Sequence, residues 1–246
     1  MAGGDNLLEL SRISKRFGAV VVASDLDFVV ERGAAVGIIG PNGAGKTTLF
    51  GMITGTVQPD AGEVRFDGEN ITRFSPARRC HRGIARSFQI PQPFNGMTVF
   101  ENTMVAASFG PGLAERAAQI QCMAILDRCG LAQKANRLAG ALTLLDRKRL
   151  ELARALAAEP KLLLLDEVVG GLTEHECATV IELVRTVREA GVTIVWIEHV
   201  VHALIAAVDR LAVLHGGRFI ADGAPKAVIE NPEVRQIYMG IAADGV

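Results

Sequence analysis

The chain is 246 residues long, 49% hydrophobic and 22% charged, with a formal net charge of −1. Such a chain can bury a full α/β core with a small helical lobe; its composition gives no sign of disorder, and its charge balance gives no overall basicity for gripping nucleic acid. No apolar run approaches the roughly 18 residues that span a bilayer, and Met1-Ala2-Gly3-Gly4-Asp5-Asn6 lacks the basic and apolar blocks of a signal peptide, so a cytoplasmic protein is expected.

In chain order, residues 7–13 and 20–30 read as strands around the turn-like Arg16-Phe17-Gly18. The apolar residues 34–39 form a third strand that runs into Gly40-Pro41-Asn42-Gly43-Ala44-Gly45-Lys46-Thr47-Thr48, with Leu49-Phe50 opening a helix that should end near Gly55. Residues 62–66 read as a short strand before the turn Asp67-Gly68. From 75 to 130 strands are scarce, Pro91, Pro93, Pro111 and Gly112 punctuate, and residues 113–129 have helical apolar spacing. An inserted helical lobe is the reading of this segment. After it come a helix over about 146–158, a strand over 161–165, a helix over 173–190, a strand over 192–197, strands near Leu211 and Phe219, and a short helix from Asn231-Pro232 to about Met239. Cys80, Cys122, Cys129 and Cys177 form no C-x-x-C pair and read as reduced packing cysteines.

Two of these elements carry chemistry. Gly40, Gly45, Lys46 and Thr47 fill G-x-x-x-x-G-K-[ST] between strand and helix, a P-loop: glycines let backbone N–H groups wrap phosphates, lysine reaches the β/γ oxygens, and the hydroxyl takes Mg²⁺. A P-loop alone leaves kinases, GTPases, helicases and transport ATPases open. Lys161-Leu162-Leu163-Leu164-Leu165-Asp166-Glu167 is a doubly buried parallel strand ending in two acids, at the sheet edge where α/β folds bind ligands. Asp166 suits the Mg²⁺ shell, and Glu167 suits orienting or deprotonating the attacking water. Ile197-Glu198-His199 ends the next strand at the same edge.

The P-loop, Gln89 in Arg86-Ser87-Phe88-Gln89, the Asp166-Glu167 strand end and His199 resemble, in order and spacing over nearly the whole chain, the Walker A, Q-loop, Walker B and H-loop of ABC transporter ATP-binding subunits. Residues 85–89, 97–102, 135–140 and 231–240 look most like the branched-chain amino acid and amide importers of that family. The resemblance implies an α/β P-loop ATPase with a β-rich N-terminal subdomain and an inserted helical lobe, pairing head to tail around two ATP molecules. Its expected parts are core and β-subdomain at 5–74 and 160–222, Q-loop and helical lobe at 75–158, and C-terminal helices at 223–246. It also implies ATP and Mg²⁺ as cofactors, with membrane permease subunits, a second ATPase subunit and a solute-binding protein as partners. The chain itself would lie on the inner face of the membrane.

Carried over by residue, the resemblance gives Gly40 to Thr48 the phosphates, Phe17 the adenine face, Gln89 the Mg²⁺ and the water, and His199 the γ-phosphate. Thr47, Gln89 and Asp166 would hold the metal; Lys46, Glu167 and His199 would act on the reacting phosphate. Phe17 also reads as a cover for the sheet edge. The apolar loop through Phe94 and Met97 would meet the membrane partner.

Three places depart from the family. Where Leu-Ser-Gly-Gly-Gln, the element that grips the partner subunit's ATP, should precede Arg147, the chain has Leu142-Thr143-Leu144-Leu145-Asp146, with Thr143 the residue left to contact that ATP. Thr143 keeps the hydroxyl, and with Asp146 it fits a capping box, but leucine obstructs the close backbone approach that glycine permits. Val168 and Thr173 stand where proline and Asp or Asn are usual, and Val200 where aspartate is common. The departures leave the ATP-binding elements intact and bear on hydrolysis. They make a half-site that binds ATP mainly to clamp a partner ATPase the second reading. A soluble ABC ATPase acting on DNA or ribosomes is the third, and the twin halves, coiled coils or zinc motifs usual there are missing from this chain.

Overall fold

β1 (Asn6–Phe17) and β2 (Val20–Glu31) pair antiparallel and turn Leu7, Leu8, Leu10, Ile13, Leu26 and Phe28 into a core. β2 matches its expected range, but β1 runs further than its apolar pattern: Lys15, Arg16 and Phe17 ladder onto Ala23, Val21 and Val20, so Phe17 belongs to a strand rather than to the expected turn. Backbone pairing extends a strand where side chains give no signal. β4 (Ala61–Phe66) and β5 (Glu69–Asn70) complete a four-stranded sheet in the order β2-β1-β4-β5. This computed structural model describes residues 5–110 and 112–239. Residues 1–4, Pro111 and Gly240 onward, with the leader reading, one loop proline and the end of the 231–240 motif, lie outside the described residues.

The second sheet runs β10-β9-β3-β8-β7-β6, from β3 (Ala35–Ile39), β6 (Ile84–Arg86), β7 (Leu162–Asp166), β8 (Thr193–Ile197), β9 (Arg210–His215) and β10 (Arg218–Gly223). All neighbours are parallel except β9 and β10. Its central strands are buried on both faces, which is why they read as unbroken apolar runs. Val36, Ile38, Leu162, Leu164, Val195 and Ile197 face the first sheet and α1 (Lys46–Thr54). Ile39, Leu163, Leu165, Ile194 and Trp196 face the helices.

β6 is a single three-residue strand within the stretch 75–130, which is otherwise as strand-poor as its sequence reads. Three residues carry no legible period, yet Ile84, Ala85 and Arg86 find a ready ladder on Leu162, Leu163 and Leu164. Before it, α2 (Pro76–His81) carries Arg79, fully buried, whose guanidinium donates to the carbonyls of Met52, Ile53, Thr72 and Phe74 and so closes the C-terminal end of α1. The lobe helices are α3 (Val99–Phe109), α4 (Glu115–Arg128) and α5 (Leu144–Ala157); α6 (Glu174–Glu189) and α7 (Val201–Ile205) return the chain to the sheet, and α8 (Pro225–Glu230) and α9 (Pro232–Met239) follow β10. α3 opens on a complete capping box between Thr98 and Glu101. α5 starts two residues before the expected 146, because Thr143 Oγ1 accepts the Asp146 N–H and caps the helix.

Candidate functional site

Parallel pairing lines up three strand ends. Ile197 on β8 lies opposite Ile38 on one side and Asp166 on the other, so the P-loop, the Asp166-Glu167 pair and Glu198-His199 leave the sheet side by side. Between them opens a cavity of about 640 Å³, lined by Asn42 through Thr48, Val20, Val22, Gln89, Glu167 and His199.

The P-loop's glycines are required by space. A Cβ on Gly40 would lie 2.2 Å from the Leu214 carbonyl oxygen, and one on Gly45 2.4 Å from that of Val22. Gly45, at φ 100°, precedes α1 as an N-cap with no side-chain hydrogen bond, which leaves the first-turn N–H groups aimed at the cavity. Lys46 lies flat in the loop, its ammonium donating to the carbonyls of Gly40 at 2.6 Å and Pro41 at 3.1 Å. Burial pulls its pKa below the ordinary lysine value, against the attraction of Glu167 and Asp166.

Both acids are engaged. Asp166 is buried and its Oδ2 accepts from Arg86 Nη2 at 2.5 Å. Glu167 is held from both sides, with Gln89 Nε2 2.5 Å from Oε2 and His199 Nε2 2.8 Å from Oε1. Its backbone sits at φ 47°, a left-handed conformation that costs a non-glycine residue about 1–2 kcal/mol. Its N–H donates to Ile197 O, and its carbonyl accepts from Lys148 Nζ at 3.0 Å and from the Gly170 N–H at 3.3 Å.

Three residues to which the sequence reading gave no role belong to this assembly. Arg86 lies over the rings of Phe50 and Phe88 and pairs with Asp166. Glu198 is buried and accepts the N–H groups of Val169 and His199, tying the segments after β7 and β8 together. Burial raises its carboxyl pKa against those two hydrogen bonds. Lys148 reaches in from α5. Arg86 and Lys148 stand inside stretches that look like surface charge; only their partners, 80 and 19 residues away, set them apart.

Gly40, Pro41 and Asp166 flank lining residues in the chain without lining the cavity themselves, and two further expected residues stand outside it altogether. Phe17 ends β1 half-exposed under the Lys15 ammonium, 5.3 Å from its ring centre, while Val20 and Val22 of β2 face the cavity. Thr143 caps α5, and only half of the expected capping box forms. The Asp146 carboxylate, 2% exposed, turns inward to Lys134 at 2.5 Å and Arg149 at 3.8 Å. Leu144 beside it is 47% exposed, 3.5 Å from where a Cβ on Gly171 would be.

The residues present fit a nucleoside triphosphate with a hard divalent cation. Glycines at close backbone contacts, an uncapped helix start and a buried lysine suit phosphate, and the Thr47 hydroxyl, the Gln89 amide and Asp166 offer oxygen donors.

Comparison with known proteins agrees. A family profile described as ABC transporter matches residues 23–170. The chain is 36% identical to the high-affinity branched-chain amino acid transport ATP-binding protein BraF of Pseudomonas aeruginosa, over 96% of this chain and 98% of that one. It is 31% identical, over the same shares, to the lipopolysaccharide export system ATP-binding protein LptB of Haemophilus influenzae. Among solved structures, the ADP conformation of an ATP-binding cassette of an ABC transporter superposes with a TM-score of 0.87 at 32% identity, over 96% of this chain and 99% of that one.

Proposed function

The chain belongs to the ABC transporter family, and from that premise we propose that it is the ATPase subunit of an importer for branched-chain amino acids or related amides. The family supplies the coarser statement: a nucleotide-binding ABC ATPase whose hydrolysis of ATP drives transport. Identity to BraF at 36%, against 31% to LptB, favours amino acid uptake over lipopolysaccharide export.

The observation that carries the chemistry is the convergence of Lys46, Glu167, Gln89 and His199 on one cavity. Backbone N–H groups of residues 43–48 and the Lys46 ammonium bind the phosphates, which draws Lys46 off the carbonyls of Gly40 and Pro41. Water attacks the γ-phosphorus in line, the bond to the β-phosphate oxygen breaks, and Glu167 takes the water's proton. His199 and Lys46 face the charge that develops on the γ-phosphoryl oxygens. Thr47, Gln89 and Asp166 would hold Mg²⁺, whose chemistry here would be to neutralise phosphate charge. Glu167 lies between Gln89 and His199, so substrate entry must part this clamp before the carboxylate can meet water.

Among the described residues no helix is long and apolar enough to cross a membrane, so translocation belongs to separate permease subunits, with the chain on their inner face and a solute-binding protein delivering the solute. An apolar cleft of about 360 Å³ between sheet and lobe, carrying Phe88, Phe94, Phe109 and Ala106 beside Arg154 and Glu151, suits an amphipathic permease segment. A second ATPase subunit pairs across the nucleotide.

The half-site reading is favoured by α5, whose start offers leucine side chains and an internally paired aspartate where a partner's phosphates would lie. Co-purification from membranes tests the assignment. Permease subunits and one further ATPase should accompany the chain, and reconstituted vesicles should take up labelled leucine on ATP. Recovery with a lipopolysaccharide exporter, or uptake indifferent to the chain, overturns the importer reading.

A further inference from the structure

We infer that Lys148 is a positioning residue for hydrolysis: from α5 its ammonium holds the main chain of Glu167 in the left-handed turn that aims the carboxylate. The inference rests on Glu167 acting as the base, and it assigns a cause for the geometry that lets it act.

Lys148 is only 6% exposed, and among the described residues its ammonium enters no ion pair. A buried, unpaired lysine is costly, and a methionine of similar length would fill the same space at less cost. Burial pulls its pKa below the ordinary value, with the buried carboxylate of Glu198 and the carboxylate of Glu167 attracting it through space. Its hydrogen bond goes to the carbonyl of the residue whose backbone is in the disfavoured conformation. Non-glycine residues keep such conformations only where surrounding contacts over-determine them. On the main chain these contacts are two, the Glu167 N–H on Ile197 O and the carbonyl on Lys148 Nζ, with the Gly170 N–H a longer third.

With Lys148 gone, the peptide after Glu167 keeps only the 3.3 Å contact and can rotate, which swings the side chain away from Gln89 and His199. The phosphate-binding loop is untouched, because Lys148 lines a different cavity, with Leu144, Gly170, Gly171, Gln89 and Glu167, which no residue of the P-loop enters. The loss should therefore fall on turnover and spare binding. Misplacing a catalytic group by an ångström costs up to about 100-fold in rate.

The test uses the full chain, single-turnover hydrolysis of radiolabelled ATP and calorimetry of ATP binding. Lys148→Met should slow hydrolysis about 10- to 100-fold while ATP affinity stays within about twofold. Lys148→Arg should recover most of the rate. On a Glu167→Gln background Lys148→Met should add nothing, since the group it positions is already gone. Should Lys148→Met fail to fold, Lys148→Gln is read by the same criteria. A wild-type rate in Lys148→Met with a slow Glu167→Gln overturns the inference and leaves the base assignment standing. Equal losses in rate and affinity, or full additivity on the Gln background, also overturn it. A wild-type rate in Glu167→Gln removes the base assignment, and this inference with it.

Discussion

Two helices of this chain begin where an ABC ATPase would meet phosphate, and they begin in opposite ways. α1 follows Gly45 with no side-chain cap, its first-turn N–H groups unfilled and a lysine folded over the loop. α5 follows Thr143, which caps it, and its third residue, Asp146, is a buried acid neutralised by Lys134 and Arg149. An uncapped start keeps its dipole available to an anion, while a capped one with a carboxylate in its first turn has satisfied both demands internally. A helix N-terminus is therefore an anion site only when the chain leaves it unfinished. The contrast separates binding, carried by α1, from the help this chain can give to a neighbour's nucleotide, carried by α5.

The largest expected effect breaks the α1 side. Lys46→Ala removes the mobile cation of the loop, and losing two charge-assisted hydrogen bonds to phosphate should weaken ATP binding by about 3–6 kcal/mol, or 10²- to 10⁴-fold, by calorimetry. Unchanged affinity would refute the P-loop assignment. Next, Glu167→Gln should cut hydrolysis about 10³-fold, keep ATP bound and favour a closed dimer in gel filtration, because the amide cannot take the water's proton. Wild-type hydrolysis there would move the base elsewhere.

The third experiment makes α5 resemble α1. Leu144→Gly with Leu145→Gly and Asp146→Gln should raise the ATPase rate of the isolated chain about 10²-fold if the segment serves a neighbour's phosphates, the size of one restored phosphate donor. An isolated wild-type chain that already turns over at an ordinary rate, unmoved by these replacements, makes the segment a tolerated variant. The smallest effect concerns the buried aspartate. Asp146→Asn leaves Lys134, itself partly exposed, without its counter-charge, and urea unfolding should show a loss of about 1–2 kcal/mol. No loss would mean that the pairing contributes nothing to the capped start.

Much of the molecule was legible in the sequence where a local rule and the tertiary outcome coincide. The P-loop between strand and helix, the doubly buried strand ending in Asp166-Glu167 and the strand ending at His199 each announce themselves through apolar runs and glycine chemistry, and parallel pairing then brings their ends together. β6 was illegible because three residues carry no period, and the end of β1 because an exposed ladder needs no apolar alternation. Only the tertiary structure decided that Arg86 pairs with Asp166, that Glu198 ties two loops together, that Lys148 supports the Glu167 main chain and that Asp146 turns inward to Lys134. The physical reason is the same for all four. Residue type gives a charge and a reach, but whether that charge meets solvent, a phosphate or a buried carbonyl depends on which distant segment packs against it, and that information is in the fold.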